Sequence, residues 1–134
     1  MKFYKYNENP KGKKTGDCVV RAIAYATNKT WLETFDGLVK IARENCDMMS
    51  CKGTYEKYLL RQGFIKQKMP KKANGKRYTI KEFFDKYKFN KPVVVSVASH
   101  LTCVDDNDLV DIWDCSFKSI CNYYIKNDDK ISLR

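Results

Sequence analysis

Cys18 and His100 are the two side chains of this sequence whose types could together perform nucleophilic catalysis. Cys18 stands in the stretch TGDCVVRAI, where Asp17 would cap a helix and the cysteine would begin its first turn. A helix N-terminus lowers the pKa of a thiol, because its unbonded N-H groups and the helix dipole stabilise the thiolate. The same N-H groups could bind the oxyanion that forms when sulfur attacks a carbonyl. The pattern therefore predicts a reactive thiolate at Cys18.

His100 is the single histidine of the chain, and so it is the one imidazole that could take the proton of that thiol. An imidazole works best in this role when a carboxylate or amide holds its other nitrogen. A three-residue loop at 106–108 would place Asp114 directly opposite His100 on the neighbouring strand. A two- or four-residue loop would instead bring Asp111 onto the face of the histidine, one diagonal away. We favour Asp114 as the orienting residue.

The elements that must position these side chains fall into two halves. Residues 1–16 are expected to be an extended lead-in, and apolar periodicity, caps and capping boxes predict helices at 17–27, 31–44, 54–62 and 79–87. Segments rich in β-branched and aromatic residues predict strands at 64–68, 93–99, 101–106, 109–114 and 120–125. Helices first and a mostly antiparallel sheet second is an α+β arrangement.

The length and charge of the chain limit the classes of protein to which it can belong. Its 134 residues, 43% of them hydrophobic, predict a single domain over 1–134. The net charge of +10 would attract anionic partners such as nucleic acid or an acidic protein surface. No signal peptide and no run of about 18 apolar residues is present, so we expect a cytoplasmic protein that does not enter a membrane.

Six cysteines occur in the chain, and in a cytoplasmic protein they are expected to be free thiols. Cys46 and Cys51 lack the spacing of a zinc site, so we predict neither a metal nor a cofactor. Cys103, Cys115 and Cys121 lie in the predicted sheet and are expected to be buried small residues. Cys115, next to Asp114, would lie close to the site. Trp31 and Trp113 are expected to anchor the core.

A second cluster of charge lies in the segment 66–77, around an Asn-Gly turn. Four of its residues are possible anion-binding groups: Lys71, Lys72, Lys76 and Arg77. The other interpretation is that this basic segment is an ordinary solvated loop.

Three stretches carry a resemblance to a known family: NPKGKKTGDCVVRAIAYATNKTW, KRYTIKEFF and SHLTCVDDNDLVDIWDCS. They resemble small phage- and prophage-encoded proteins of the papain-like cysteine peptidase fold, over nearly the whole chain. The resemblance implies Cys18 as nucleophile, His100 as base and Asp114 as orienting residue. The glutamine that papain-like enzymes place before the cysteine is absent, because Gly12 or Lys13 stands there, and Asn9 is the substitute we consider for the oxyanion.

The expected function is that of a cysteine-dependent acyl-transfer hydrolase acting on a peptide or isopeptide bond of a peptide or protein substrate. The alternative is a catalytically inactive phage-encoded binding protein that engages nucleic acid or a host protein through its basic surface. Both would act in the cytoplasm of the host cell.

Overall fold

A computed structural model describes residues 1–134, which form four α-helices and eight β-strands. The helices are α1 (Cys18–Thr27), α2 (Trp31–Asn45), α3 (Lys52–Arg61) and α4 (Ile80–Lys86). The strands are β1 (Lys2–Lys5), β2 (Phe64–Gln67), β3 (Tyr87–Lys88), β4 (Val93–Val97), β5 (His100–Asp105), β6 (Asp108–Asp111), β7 (Asn122–Lys126) and β8 (Ser132–Leu133). All four helices lie where the sequence predicts them.

The helix ends follow the local chemistry of the sequence. Both predicted capping boxes are present: the Thr30 and Thr79 hydroxyls accept from the backbone three residues on, and the glutamates there accept from the caps. Gly63 follows α3 with a φ of +85°, a conformation that glycine adopts without steric cost. These short-range signals fix where α2 and α4 begin and where α3 ends.

Six strands form one open sheet in the order β1-β6-β5-β4-β7-β2, and β3 pairs with β8 in a separate ladder. Every pairing of the six-stranded sheet is antiparallel except that of β1 with β6, which is parallel. The prediction of an α+β fold with a mostly antiparallel sheet is confirmed. The edge strand β1 is a correction, because the sequence analysis treated its residues as a lead-in without a strand.

Helices cover the sheet on both faces, and the central strand β4 shows why. Val94 packs into the cluster that α1, α2 and α3 form with the sheet. Its neighbours Val93, Val95 and Val97 belong to the cluster around α4 on the opposite face. A strand buried on both sides has apolar residues at successive rather than alternate positions. In β4 four of the five residues are valine, and all five are buried. The sheet therefore gives α1 a rigid surface to rest on.

Candidate functional site

Cys18 is the first residue of α1, and it lies against His100, the first residue of β5. Burial alone would raise the pKa of the Cys18 thiol, but hydrogen bonds from the His100 ring and the Leu101 backbone N-H lower it below its ordinary value. Burial likewise opposes the charged form of His100, yet hydrogen bonds with Asp111, Cys115 and Cys18 raise its pKa to about 11. Both shifts favour a thiolate paired with an imidazolium.

Asp111 holds the histidine ring from the other side. His100 Nε2 lies 2.7 Å from Asp111 Oδ2, and both side chains are largely buried. Burial would raise the pKa of Asp111, but its bond with His100 keeps the pKa below its ordinary value. The backbone of Asp111 is fixed in turn, since its carbonyl accepts from the N-H of Tyr6, just after β1. A carboxylate held in this way orients the ring and stabilises its positive charge.

The choice of Asp114 as the orienting residue was wrong, and the loop length is the reason. Asp105 pairs with Asp108, so the loop between β5 and β6 has two residues rather than three. This register turns Asp111 toward His100, which is the alternative that the sequence left open. Asp114 is exposed, and its Oδ1 accepts from the backbone N-H of Ser116.

The two aspartates can be told apart by titrating the single imidazole. In Asp111→Asn, the pKa of His100 should fall by about two pH units, because the variant loses a carboxylate in direct contact with the ring. In the matched control Asp114→Asn, the pKa of His100 should not change. Nitrogen-15 NMR of the one histidine gives both values without overlap. A fall in the Asp114 variant alone would reverse the assignment.

Asp17 precedes α1 at the N-cap position, yet its side chain makes no capping hydrogen bond. Its carboxylate is bound instead by three side chains. Arg21 pairs with Oδ1, while Trp31 Nε1 and Asn9 Nδ2 donate to Oδ2 at 2.9 and 3.2 Å. The predicted cap by the Asp17 carboxylate is therefore absent, and the carboxylate forms an i,i+4 ion pair with Arg21 instead.

Arg21 joins this cluster to the histidine. Its second nitrogen Nη2 lies 3.4 Å from Asp111 Oδ1, and the side chains of all three ionic partners are no more than 5% exposed. A buried chain of alternating charges therefore runs from Asp17 through Arg21 and Asp111 to His100. Because each charge has an opposite neighbour, the group can be buried.

Asn9 does not fill the oxyanion role considered for it. Its Nδ2 donates to Asp17, and its Oδ1 accepts from the backbone N-H of Lys11. The side chain thus braces the aspartate. Since the carboxylate of Asp17 is held away from the helix and α1 has no acidic residue in its first turn, the N-H groups of Cys18 and Val19 have no protein acceptor. Those two N-H groups could donate to an oxyanion that forms beside Cys18.

A cleft of about 600 Å³ opens over the thiol. Three walls enclose it: the start of α1, the start of α3, and the hairpin between β4 and β5. Its lining residues include Gly16, Ser50, Lys52, Tyr55, Ser96 and His100, together with Cys18 itself. The volume is in the range of pockets that hold small ligands or a few residues of peptide.

Comparison with protein families, curated proteins and solved structures gave no match. The function of this site is therefore argued from its geometry. None of the four helices is both long enough and apolar enough to cross a membrane.

Several residues of the site were missed or misjudged at the sequence level. Trp113 is 38% exposed, and its ring centroid lies 5.1 Å from that of His100, so it covers the imidazole rather than anchoring the core. Cys121 is partly exposed and lines the cleft. Glu8 lies beside Arg21 in a closed gap behind Cys18, where one carboxyl oxygen is unbonded and burial raises the pKa to about 7. No local pattern marks Glu8, because only the pairing of β1 brings the lead-in to this point.

One group of side chains at the site could hold a metal ion. His100, Asp111 and Cys115 each offer a ligand atom, and these atoms lie within 4.8 Å of one another. The Sγ of Cys115, which is buried as expected, lies 3.7 Å from Asp111 Oδ2. In this arrangement His100 Nε2 and Asp111 Oδ2 already share a hydrogen bond with each other.

The basic segment 66–77 does not present its charges as one free surface. Lys72 is paired with Glu82, and Arg77 donates to the backbone carbonyls of Ser119 and Ile120. Lys71 and Lys76 are exposed and form no ion pair. Two of the four predicted anion-binding residues are thus engaged within the protein.

Proposed function

We propose that this protein is a cysteine-dependent acyl-transfer hydrolase of the papain-like kind, in which Cys18 is the nucleophile, His100 the acid and base, and Asp111 the orienting residue. The observation that carries the proposal is geometric: the half-buried Cys18 and His100 line one cleft, and Asp111 holds the His100 ring at 2.7 Å. The pKa shifts agree with this, since the pKa is lowered at Cys18 and raised at His100. A structural cysteine in an apolar setting would have a raised pKa instead.

The chemistry follows from this pair. The Cys18 thiolate attacks the carbonyl carbon, and the oxyanion is stabilised by the free N-H groups of Cys18 and Val19. The bond to the leaving amine breaks as the His100 imidazolium gives that amine a proton, which leaves a thioester on Cys18. Water then attacks the thioester while His100 takes its proton, and the carboxylic acid leaves as the thiolate is restored. Turnover should rise as the thiol ionises and fall when His100 loses its proton near pH 11.

The arrangement of the elements supports a papain-like fold. A cysteine opens a helix that packs on a sheet, a histidine opens a strand of that sheet, and the aspartate comes from the adjoining strand. All six cysteines are free thiols, which favours a reducing compartment such as the cytoplasm of a host cell. A peptide or isopeptide bond of a protein is the substrate that we propose.

The proposal is tested with p-nitrophenyl acetate at pH 6. We expect one equivalent of nitrophenol to be released in a burst, followed by slower turnover, with the acetyl group found on Cys18 by peptide mass spectrometry. The exposed thiols of Cys46 and Cys51 are internal controls, because neither is in contact with the single histidine. Acetylation spread evenly over the exposed cysteines, or a burst that survives Cys18→Ser, would contradict the proposal.

A second candidate function is binding of nucleic acid or an acidic host protein. It is favoured by the net charge of +10 and by the unpaired ammonium groups of Lys71 and Lys76. Such binding would weaken steeply with salt, because phosphate contacts release counterions. It would also survive Cys18→Ser, which separates it from the hydrolase.

A further inference from the structure

The walls of the cleft carry an imbalance of charge. Lys52 is the one lysine among the residues that line the space above Cys18. None of these residues is an aspartate or a glutamate. The positive charge of His100 is shared between the carboxylate of Asp111 and the Cys18 thiolate. Lys52 is therefore the one charged residue on the walls of the cleft that has no opposite charge bonded to it.

The ammonium group of Lys52 has no acidic partner within the protein. Its Nζ donates to Asn122 Oδ1 at 2.9 Å, a neutral acceptor, and it forms no salt bridge. Glu56, one turn further along α3, is bound by Lys66 and by the hydroxyl of Tyr124. The nearest acid on the helix is thus occupied, and the ammonium remains available to a ligand.

The surroundings of Lys52 also favour an anion. It is the first residue of α3, which has no acidic residue in its first turn. The backbone N-H groups of Lys52 and Gly53 have no protein acceptor. The guanidinium of Arg77 lies behind another wall, with Nη2 3.2 Å from Cys121 Sγ, and it forms no ion pair. The ammonium group, the free N-H groups and the guanidinium group each contribute a positive potential.

We propose that the site selects acyl groups that carry a carboxylate, such as peptides with an aspartate or glutamate beside the scissile bond, and that Lys52 is the residue that recognises it. This inference rests on the proposed function, because it names the substrate class of the same cleft. A carboxylate there would form a charge-assisted hydrogen bond with the ammonium of Lys52. A lysine side chain would face repulsion from the same charge.

The test uses dipeptidyl vinyl sulfones that differ only in having aspartate or asparagine, which have nearly the same shape. The Cys18 thiolate adds to the vinyl carbon β to the sulfone, a C-S bond forms as the C=C double bond becomes single, and the carbon next to the sulfone takes the proton of the His100 imidazolium. Peptide mass spectrometry at pH 6 follows the rate at Cys18. The readout is the ratio of the two rates, which cancels changes in general reactivity.

The wild-type protein should react about fivefold faster with the aspartate probe, as expected for one partly solvated ion pair. The ratio should fall to about one in Lys52→Met and invert in Lys52→Glu. Lys57→Glu is the matched control: Lys57 is on the same helix and also donates to a neutral amide oxygen, that of Asn45, but it lies outside the cleft. It should keep the preference for aspartate.

Three results would overturn the inference while leaving the hydrolase proposal intact: equal rates in the wild type, a preference for asparagine, or a Lys57→Glu ratio that matches that of Lys52→Glu. Equal ratios in Lys57→Glu and Lys52→Glu would show that the preference comes from the overall electrostatic potential of the protein and not from contact with Lys52. Failure of both probes to label Cys18 selectively would instead refute the proposed function, and this inference with it.

Discussion

His100→Ala is expected to lower the turnover of p-nitrophenyl acetate by about 100-fold or more, because the variant loses both the base that activates water and the acid of the first step. The apparent pKa of Cys18 should rise to about 8.5 or above, because a hydrogen bond and a charge that lower it come from this ring, whereas burial raises it. Alkylation of Cys18 by iodoacetamide between pH 4 and 9 gives that pKa directly.

The matched control is Asp114→Asn, which alters an exposed carboxylate near the same strand. It should leave turnover and the pH profile as in the wild type. Circular dichroism should show that each variant is folded. If Cys18 in His100→Ala titrates at the same pH as in the wild type, the thiolate and imidazolium pair does not exist, and the catalytic proposal fails.

Arg21→Met is expected to destabilise the protein by about 3–5 kcal/mol, the usual cost of leaving buried charges without their partner. The guanidinium is bonded to Asp17 and Asp111, and both carboxylates are buried. Without Arg21, Asp17 would keep only neutral donors. Asp111 would keep His100 as its one charged partner. Because domains of this size are stable by about 5–15 kcal/mol, urea denaturation should show a large drop in the midpoint.

Arg61→Met is the control for the loss of an arginine ion pair as such. Arg61 pairs with Glu44 at 3.1 Å, with side chains 55% and 42% exposed, so its removal should cost less than about 1 kcal/mol. The double variant Arg21→Met with Asp17→Asn should recover part of the loss, because one unpaired carboxylate is removed with it. Equal costs for Arg21→Met and Arg61→Met would show that the buried network contributes no special stability.

The same network gives Asp17 a role in the proposed site, although Asp17 would not contact a substrate. A free carboxylate at the N-cap would satisfy the first N-H groups of α1. Asp17 is withheld from this position by Arg21, Trp31 and Asn9. The start of the helix therefore keeps its unbonded donors, and these are what a developing oxyanion beside Cys18 would need. We expect the stability that the missing cap costs to be offset by the buried ion pairs.

The sequence by itself determined the features that depend on neighbours along the chain. Capping boxes fix the starts of α2 and α4, and Gly63 ends α3, because these signals act within one helical turn. The position of Cys18 in the first turn of α1 was predicted from apolar periodicity, although the carboxylate of Asp17 does not make the expected capping bond. The single histidine left no choice of imidazole, so the pairing of Cys18 with His100 could be proposed before any coordinates.

Only the tertiary structure decided which carboxylate completes the site. The choice between Asp111 and Asp114 turned on one residue of loop length, and because strand side chains alternate, one step of register changes which residue faces the histidine. The strand β1 and the placement of Glu8 behind Cys18 were likewise decided by pairing with β6, which follows more than a hundred residues later. Contacts between distant segments leave no local pattern in the sequence. The contacts of Asp17 with Asn9 and Arg21 are therefore seen only in the folded chain.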